Sequence, residues 1–392
     1  MKILFIAPGD SLHTSRWIER VKAHGFECVF YDMTSKSVMH PMEVESIYHL
    51  ADFFREDLKD KKSRRFLSLS RWTDPFALSL KHFLSLKRVV KVESPDLIHI
   101  HWLFHAAALS AVFLRKVPII STPWGSDLLT PEYKVSSGKF ERLKHKFVVK
   151  TVIRKSRAFC CDAPHMKELL VKFGANPDSV EIIYFGTDVE IFNPLNRSGD
   201  FWSKYGMPKQ NLKVLSNRVL ANMYDIETFI RASKIVNDKN PEIDFVIAGG
   251  GPQSDSLKEY ARVHGSQKGV LFTGRLSNED FASATNSCDI YVSTSPTDGG
   301  IAASVAEAMS SAIPVVITDF GDNSAWLKDE TAGYIFKIGD ELQLANLILE
   351  LARNKEIRHS MGQVGRSVIL KDNNSKIEVR KISDLYIRAR RV

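Results

Sequence analysis

Short apolar runs alternate with longer amphipathic stretches along most of the chain. Ile3–Ala7, Glu27–Tyr31, Leu97–His101, Val117–Thr122 and Ala158–Asp162 read as buried strands, with helical patterns such as Ser15–His24 and Phe104–Leu114 between them. Alternation of this kind predicts a parallel sheet with helices on both faces. The pattern pauses at Phe192–Asp200, a polar stretch containing Pro194 and Gly199, which reads as a linker. It restarts at Lys213–Ser216, and further strands follow at Asp244–Ala248, Val270–Thr273, Ile290–Ser293, Pro314–Thr318 and Gly333–Phe336. Helices are expected at Tyr224–Asp238, Ser254–His264, Asn278–Ser287 and Ala302–Ser311. The second half therefore repeats the architecture of the first without repeating its sequence. The expected organisation is α/β, with doubly wound domains over 1–195 and 196–375 and a basic helix over 376–392 that packs back on the first domain. Open parallel sheets bind ligands beyond the carboxyl ends of their strands, which places the expected site in a cleft between the two sheets.

Length agrees with this division, since 392 residues are too many for one ordinary core. Apolar content of 44% and charged content of 26% are globular values. No stretch approaches the roughly 18–20 uninterrupted apolar residues of a membrane span, and Met1–Pro8 reads as a first strand rather than a signal peptide. Cys28, Cys160, Cys161 and Cys288 show no C-x-x-C pair and no zinc spacing, so reduced, packed cysteines of a cytoplasmic protein are expected. The net charge of +8 favours anionic partners. Much of the excess lies between Arg55 and Lys91, interleaved with Phe53, Phe54, Phe66, Trp72, Phe76 and Phe83, and the last helix is basic as well. A solvated helix face and attachment to an anionic membrane surface both fit that pattern. Nucleic acid is not expected as a partner, because no helix-turn-helix, zinc or RNA-binding signature accompanies the charge.

Two nucleotide chemistries, of nicotinamide and of the P-loop, find little support in the spacing. The first strand is followed by Pro8-Gly9-Asp10-Ser11-Leu12-His13, with one glycine, and Gly249-Gly250-Gly251-Pro252 lacks the third glycine of a dinucleotide fingerprint. No P-loop pattern occurs. The informative segment is Ser293–Met309, where a strand ends in a polar, glycine-containing turn and a helix of small residues begins near Ala302. Free N–H groups at a helix start form an anion site, and small side chains let phosphate oxygens approach. Gly300, Ile301, Ala302 and Ala303 would supply that site, and Glu307, further into the helix, could accept hydrogen bonds from a ribose diol.

The stretch from Asp298 through Glu307-Ala308-Met309-Ser310-Ser311-Ala312-Ile313-Pro314-Val315-Val316 resembles the E-x7-E-A-M-A-x-G-x-P-V-V region of family 4 retaining glycosyltransferases. Phe245–Pro252, Val270–Leu276 and Tyr184–Pro194 extend the resemblance, as do Asp96–His101 and Trp124–Asp127 in the first half. It implies a GT-B fold of two Rossmann-like domains and an enzyme of bacterial envelope or exopolysaccharide synthesis. It also implies transfer with retention from a nucleotide-sugar, a UDP-sugar favoured over a GDP-sugar, to a glycan or lipid-linked acceptor. No D-x-D pair occurs, so no metal and no further cofactor are expected. Arg218 corresponds to the family's phosphate-binding arginine, Gly250 falls in its glycine-rich turn, and Arg275 and Leu276 fall beside the nucleobase. The family's first glutamate is replaced, since Asp298 stands nine positions before Glu307 and Gly299 eight. Its phosphate-binding lysine is missing from Ala221-Asn222-Met223-Tyr224-Asp225.

On the acceptor side, Gly9 and His13 occupy the loop after the first strand. His101 ends the strand Leu97–His101, and Asp127 follows the next strand. Trp124 stands where many family members have histidine, which leaves His101 and Asp127 as the catalytic candidates of this half, beside Arg218, Asp298 and Glu307. A peripheral site on the inner face of the membrane is the expected location. A GT-B epimerase and a non-catalytic nucleotide-sugar-binding protein are the competing readings.

Overall fold

Strand β1 (Lys2–Ala7) has no charge after Lys2, and Ile3 to Ala7 are all fully buried, as a strand covered on both faces requires. In this computed structural model, which describes residues 1–34, 43–53, 75–114, 117–125, 127–128, 139–297, 300–328 and 330–391, β1 lies near the middle of the first of two sheets. The chain forms two units, one of Met1–Phe185 with Glu378–Val392 and one of Gly186–Ile377.

In the first unit β1 is followed by α1 (Leu12–Ala23), β2 (Glu27–Asp32), β3 (Ser46–His49), α2 (Pro75–Glu93), β4 (Leu97–His101), α3 (Ala106–Ala111), β5 (Ile119–Thr122), α4 (Lys139–Lys155), β6 (Ala158–Cys161), α5 (Pro164–Phe173) and β7 (Val180–Ile182). The strands are all parallel in the order β3-β2-β1-β4-β5-β6-β7. β3 and β7 were not foreseen from the pattern, because each is a short edge strand and only partly buried. Of the basic, aromatic-rich stretch singled out above, 54–74 lie outside the described residues and the rest begins α2.

In the second unit, β8 (Leu212–Ser216), α6 (Ile226–Lys239), β9 (Ile243–Ala248), α7 (Ser254–His264), β10 (Leu271–Gly274) and α8 (Asn278–Asn286) come first. They are followed by β11 (Ile290–Ser293), α9 (Ala303–Ser310), β12 (Val315–Thr318), α10 (Asn323–Leu327), β13 (Gly333–Phe336), α11 (Glu341–Arg353) and α12 (Lys355–Asp372). The sheet order is β10-β9-β8-β11-β12-β13, again parallel. Each order reverses once, between β1 and β4 in one unit and between β8 and β11 in the other. At those points the loops part and leave room for a ligand.

The final helix, α13 (Ser375–Arg391), presents Val379, Ile382, Leu385, Tyr386 and Ala389 at helical spacing to the first sheet. They share a core with Ile3, Phe5, Phe30 and α1, while α2 to α5 cover the opposite face. The Tyr386 hydroxyl, fully buried, meets His99 Nδ1 at 2.7 Å and accepts from Trp17 Nε1 at 3.3 Å.

The expected boundary near residue 195 is corrected to Phe185–Gly186. The polar stretch 192–200 is not a free linker, because it packs on the second unit. Asn193 N donates to Asn286 Oδ1 at 3.1 Å, Arg197 pairs with Asp289 at 2.7 Å, and Phe192 is buried. Gly186 has φ +77, and a Cβ there would lie 2.6 Å from Ser375 Cα. Only glycine fits that crossing.

Candidate active site

The second unit carries its polar chemistry where its strand order reverses. Asn217 and Arg218 leave the end of β8. Asn217 Oδ1 accepts from the Tyr291 hydroxyl at 2.7 Å, and that hydroxyl lies 2.8 Å from Ser304 Oγ. Arg218 Nη1 donates to the same Ser304 Oγ at 3.2 Å. Its guanidinium carbon sits 4.5 Å from the centre of the Tyr224 ring, a cation–π distance. Ser304 is the second residue of α9, so these contacts hold Arg218 over the first turn of that helix.

The residue preceding α9 is Ala302, extended at φ −62 and ψ 139, and its side chain offers no acceptor to the first-turn N–H groups. Most helices place Ser, Thr, Asp or Asn there. Among the described residues no side chain caps these donors, which stand with the positive end of the helix dipole beside a guanidinium. Gly300, Ile301, Ala302 and Ala303 are half-buried. Glu307, one turn further on, is 4% exposed rather than a surface charge, and a carboxylate so placed must be balanced by nearby donors.

The glycine-rich turn after β9 fixes this arrangement from behind. Leu220 N donates to Gly250 O at 3.1 Å, and Gln253 N donates to Leu220 O at 3.0 Å. A Cβ on Gly249 would lie 2.3 Å from Arg218 O, and one on Gly251 would lie 2.3 Å from Leu220 O. Gly250 is different, since its Cβ would meet only Arg275 Cβ, at 3.9 Å. Gly249→Ala and Gly251→Ala are therefore expected to destabilise the second unit by about 1–3 kcal/mol in thermal or urea melts. Gly250→Ala should melt as the parent does. Equal melting of all three variants would show that the two loops do not press on one another.

Arg275 is exposed and Leu276 half-buried, in the loop that leaves β10 at Gly274. Asp298 and Gly299, at the first acid of the motif, lie outside the described residues. Where the family's lysine is missing, residues 222–224 form a tight turn. Thr294 Oγ1 bonds Tyr224 O at 2.9 Å, and Thr297 Oγ1 bonds Met223 O at 3.1 Å. The turn presents the Tyr224 ring to Arg218 instead of a second cation.

In the first unit, Gly9 N donates to Asp32 Oδ1 at 3.0 Å, and a Cβ on Gly9 would lie 2.8 Å from Asp32 Cγ. Asp32, buried at the end of β2, also accepts from Thr34 N and Oγ1 and meets His49 Nδ1 at 3.2 Å. His13 stands in the first turn of α1 rather than in the preceding loop, and its side chain lies outside the described residues. His101, expected to face the acceptor, is completely enclosed. Its ring centre lies 4.4 Å from His99, 5.4 Å from Trp17, 5.9 Å from Trp124 and 6.0 Å from Phe5.

Asp127 is also buried, and both its oxygens accept backbone donors, Leu103 N at 2.7 Å and Trp124 N at 2.9 Å. It ties together the loops after β4 and β5. Burial pushes its carboxyl up to about 6, and the backbone N–H bonds pull the other way. Sequence reasoning missed Asn217, Tyr224, Tyr291 and Ser304, and in this unit Asp32 and His49. A signal existed for Asp32, since an acid at the end of the second strand is a recurrent feature of doubly wound folds.

Residues 13–191 match the description Glycosyltransferase Family 4, and residues 201–368 match Glycosyl transferases group 1. The UDP-Gal:alpha-D-GlcNAc-diphosphoundecaprenol alpha-1,3-galactosyltransferase of Escherichia coli is 24% identical over 318 residues, covering 79% of each chain. A Methanocaldococcus jannaschii protein described as uncharacterized glycosyltransferase MJ1178 is 22% identical over 367 residues, 91% of this chain and 88% of its own. Among solved structures, Anabaena Alr3699/HepE in complex with UDP superposes with a TM-score of 0.75 at 15% identity, covering 99% of this chain and 100% of that one.

Proposed function

The chain belongs to the family 4 glycosyltransferases and is a GT-B enzyme, and from that premise we propose that it moves one sugar from a UDP-sugar to a lipid-linked or glycan acceptor, with retention and without a metal ion. The observation that carries this reading is the placement of Arg218, 3.2 Å from Ser304 at the uncapped start of α9. Departure of the diphosphate builds negative charge on its oxygens. A guanidinium and a row of N–H donors fixed in advance stabilise that charge without reorganising. The HepE structure bound to UDP supports the choice of base, and the diphosphoundecaprenol in the name of the Escherichia coli relative supports a lipid-linked acceptor. Work on such an acceptor fits a peripheral protein on the inner face of the membrane. Among the described residues, no helix is long and apolar enough to cross one.

Glu307 takes the ribose hydroxyls and the loop at Arg275 and Leu276 the base. The loop at Gly9 and His13 in the first turn of α1 stand on the acceptor side, where Asp127 ties together the loops after β4 and β5 and His101 is packed among aromatic rings. The acceptor hydroxyl attacks from the face the diphosphate leaves, and a phosphate oxygen takes its proton. The chain lacks the D-x-D pair by which many transferases hold a metal, so Arg218 and the start of α9 carry the charge. The test is transfer in the presence of EDTA from UDP- and GDP-sugars to lipid-diphosphate-linked and free glycan acceptors, with the product examined by NMR. UDP-dependent transfer that keeps the donor's anomeric configuration is expected. An inverted product, or a rearranged sugar nucleotide formed without acceptor, would overturn the mechanism or replace it with epimerisation.

A further inference from the structure

Helices α2, α3 and α4 lie side by side on one face of the first sheet. α3 is short and recessed, with Ala107 to Ala111 buried, and Ser110 Oγ donates to Ser79 O of α2 at 2.6 Å. The longer α2 and α4 stand out on either side of it. Their outer sides carry exposed apolar residues. Leu80 and Leu84 project from α2, Leu143 (66% exposed) and Phe147 (55%) from α4, and Phe113 follows α3.

Each pair is spaced four residues apart, so it forms one ridge. Each ridge then turns basic along its helix, through Lys87, Arg88 and Lys91 on α2 and Lys146, Lys150 and Arg154 on α4. Among the described side chains of the two helices the acid is Glu93, which already accepts from Tyr48 at 2.6 Å and Lys2 at 3.2 Å. Both helices lead into parallel strands, so both run against them. The exposed apolar pairs, in the first half of each helix, therefore lie toward the end of the unit where the strands finish and the Gly9 loop emerges.

We propose that this outer face of α2, α3 and α4 seats the enzyme on an anionic membrane, with the leucines and phenylalanines in the acyl boundary and the cations on the headgroups. Monomeric proteins rarely leave a contiguous apolar patch uncovered. An apolar ridge continued by cations and poor in acids is complementary to anionic lipid. The inference deepens the reading of a lipid-linked acceptor, although the surface itself rests on the helices alone. It places the lipid contact at the same end of the unit as the acceptor-side loop.

The test is co-sedimentation with phosphatidylcholine vesicles, alone or containing about one third phosphatidylglycerol, at low salt. Four proteins are compared: the parent, Leu143→Ser with Phe147→Ser, Arg142→Glu with Lys146→Glu, and Leu342→Ser, an exposed leucine of the second unit. The parent and Leu342→Ser should bind the anionic vesicles, and each double variant should lose about tenfold in partitioning. UDP-induced thermal stabilisation should be the same in all four. A parent that ignores anionic vesicles, or double variants that bind like the parent, would overturn the proposal. So would displacement of vesicles by an RNA homopolymer that binds more tightly, which would make the face a nucleic-acid surface. Vesicle binding without transfer to lipid-linked acceptors would retain the surface and defeat the acceptor reading, so the two fail separately.

Discussion

Arg218→Ala lowers affinity for UDP about 10- to 100-fold, as expected for removal of charge-assisted hydrogen bonds worth about 1.5–3 kcal/mol. Turnover falls further, by about a thousandfold in kcat/KM, because the leaving diphosphate demands more of the cation than the ground state does. The family's lysine is missing from 221–225, so the load falls on Arg218 and the start of α9. Variants of Tyr224 grade the effect. Tyr224→Phe keeps the ring 4.5 Å from the guanidinium and should behave like the parent. Tyr224→Leu removes the cation–π contact, about 0.5–2 kcal/mol, and should cost about two- to thirtyfold in UDP affinity. Isothermal titration with UDP and initial rates decide the matter. Unchanged UDP affinity in Arg218→Ala, with the fold intact, would remove the basis of the donor site.

The second large effect is acid instability of the first unit. Burial holds His82 down to about 3, His105 down to about 4 and His99 well below the usual imidazole range. A neighbouring histidine lowers His82 and His99 further, whereas Asp32 opposes the shift at His105. These groups are neutral in both states above about pH 6.5. As pH falls below that value the unfolded chain takes up protons that the native state refuses, so stability is lost.

Asp127 acts in the opposite sense. Its carboxyl, raised to about 6, keeps in the native state a proton that the unfolded chain releases until nearly pH 3.8. It therefore returns stability on acidification. The net uptake near pH 5 is about two protons, a slope of roughly 3 kcal/mol per pH unit. Urea melts at pH 7, 6 and 5 should show stability falling steeply below pH 6. A curve flat from pH 7 to 5 would mean that the buried imidazoles do not titrate as described.

The donor half of the site was legible because it is local. A strand, a turn and a helix of small residues lie within Ile290–Ser310, and the arginine follows a recognisable strand. The contacts that hold Arg218 were not legible. Tyr224 reaches it from a turn pinned by Thr294 and Thr297, about seventy residues away, and no local pattern encodes that. His101 illustrates the opposite error. Alternation of polar residues in Leu97–His101 suggested a face open to ligand, yet a central parallel strand is covered on both faces and its histidines are enclosed. The linker failed for a related reason. Composition marked 192–200 as polar, while Phe192, Asn193 and Arg197 are used in packing.

The position of α13 has a consequence for how the molecule is made. One face of the first sheet is completed by Val379, Ile382, Leu385 and Tyr386, which follow the whole second unit in the chain. At about 5–20 residues per second, the ribosome needs roughly ten to forty seconds to travel from Phe185 to Ala389. Throughout that interval Phe5, Phe30 and the aromatic surround of His99 lack their last covering helix. The second unit, continuous in sequence, can close first. The first-made half of the protein is thus the last to be finished, and until then it exposes its greasy side to whatever chaperones attend the nascent chain.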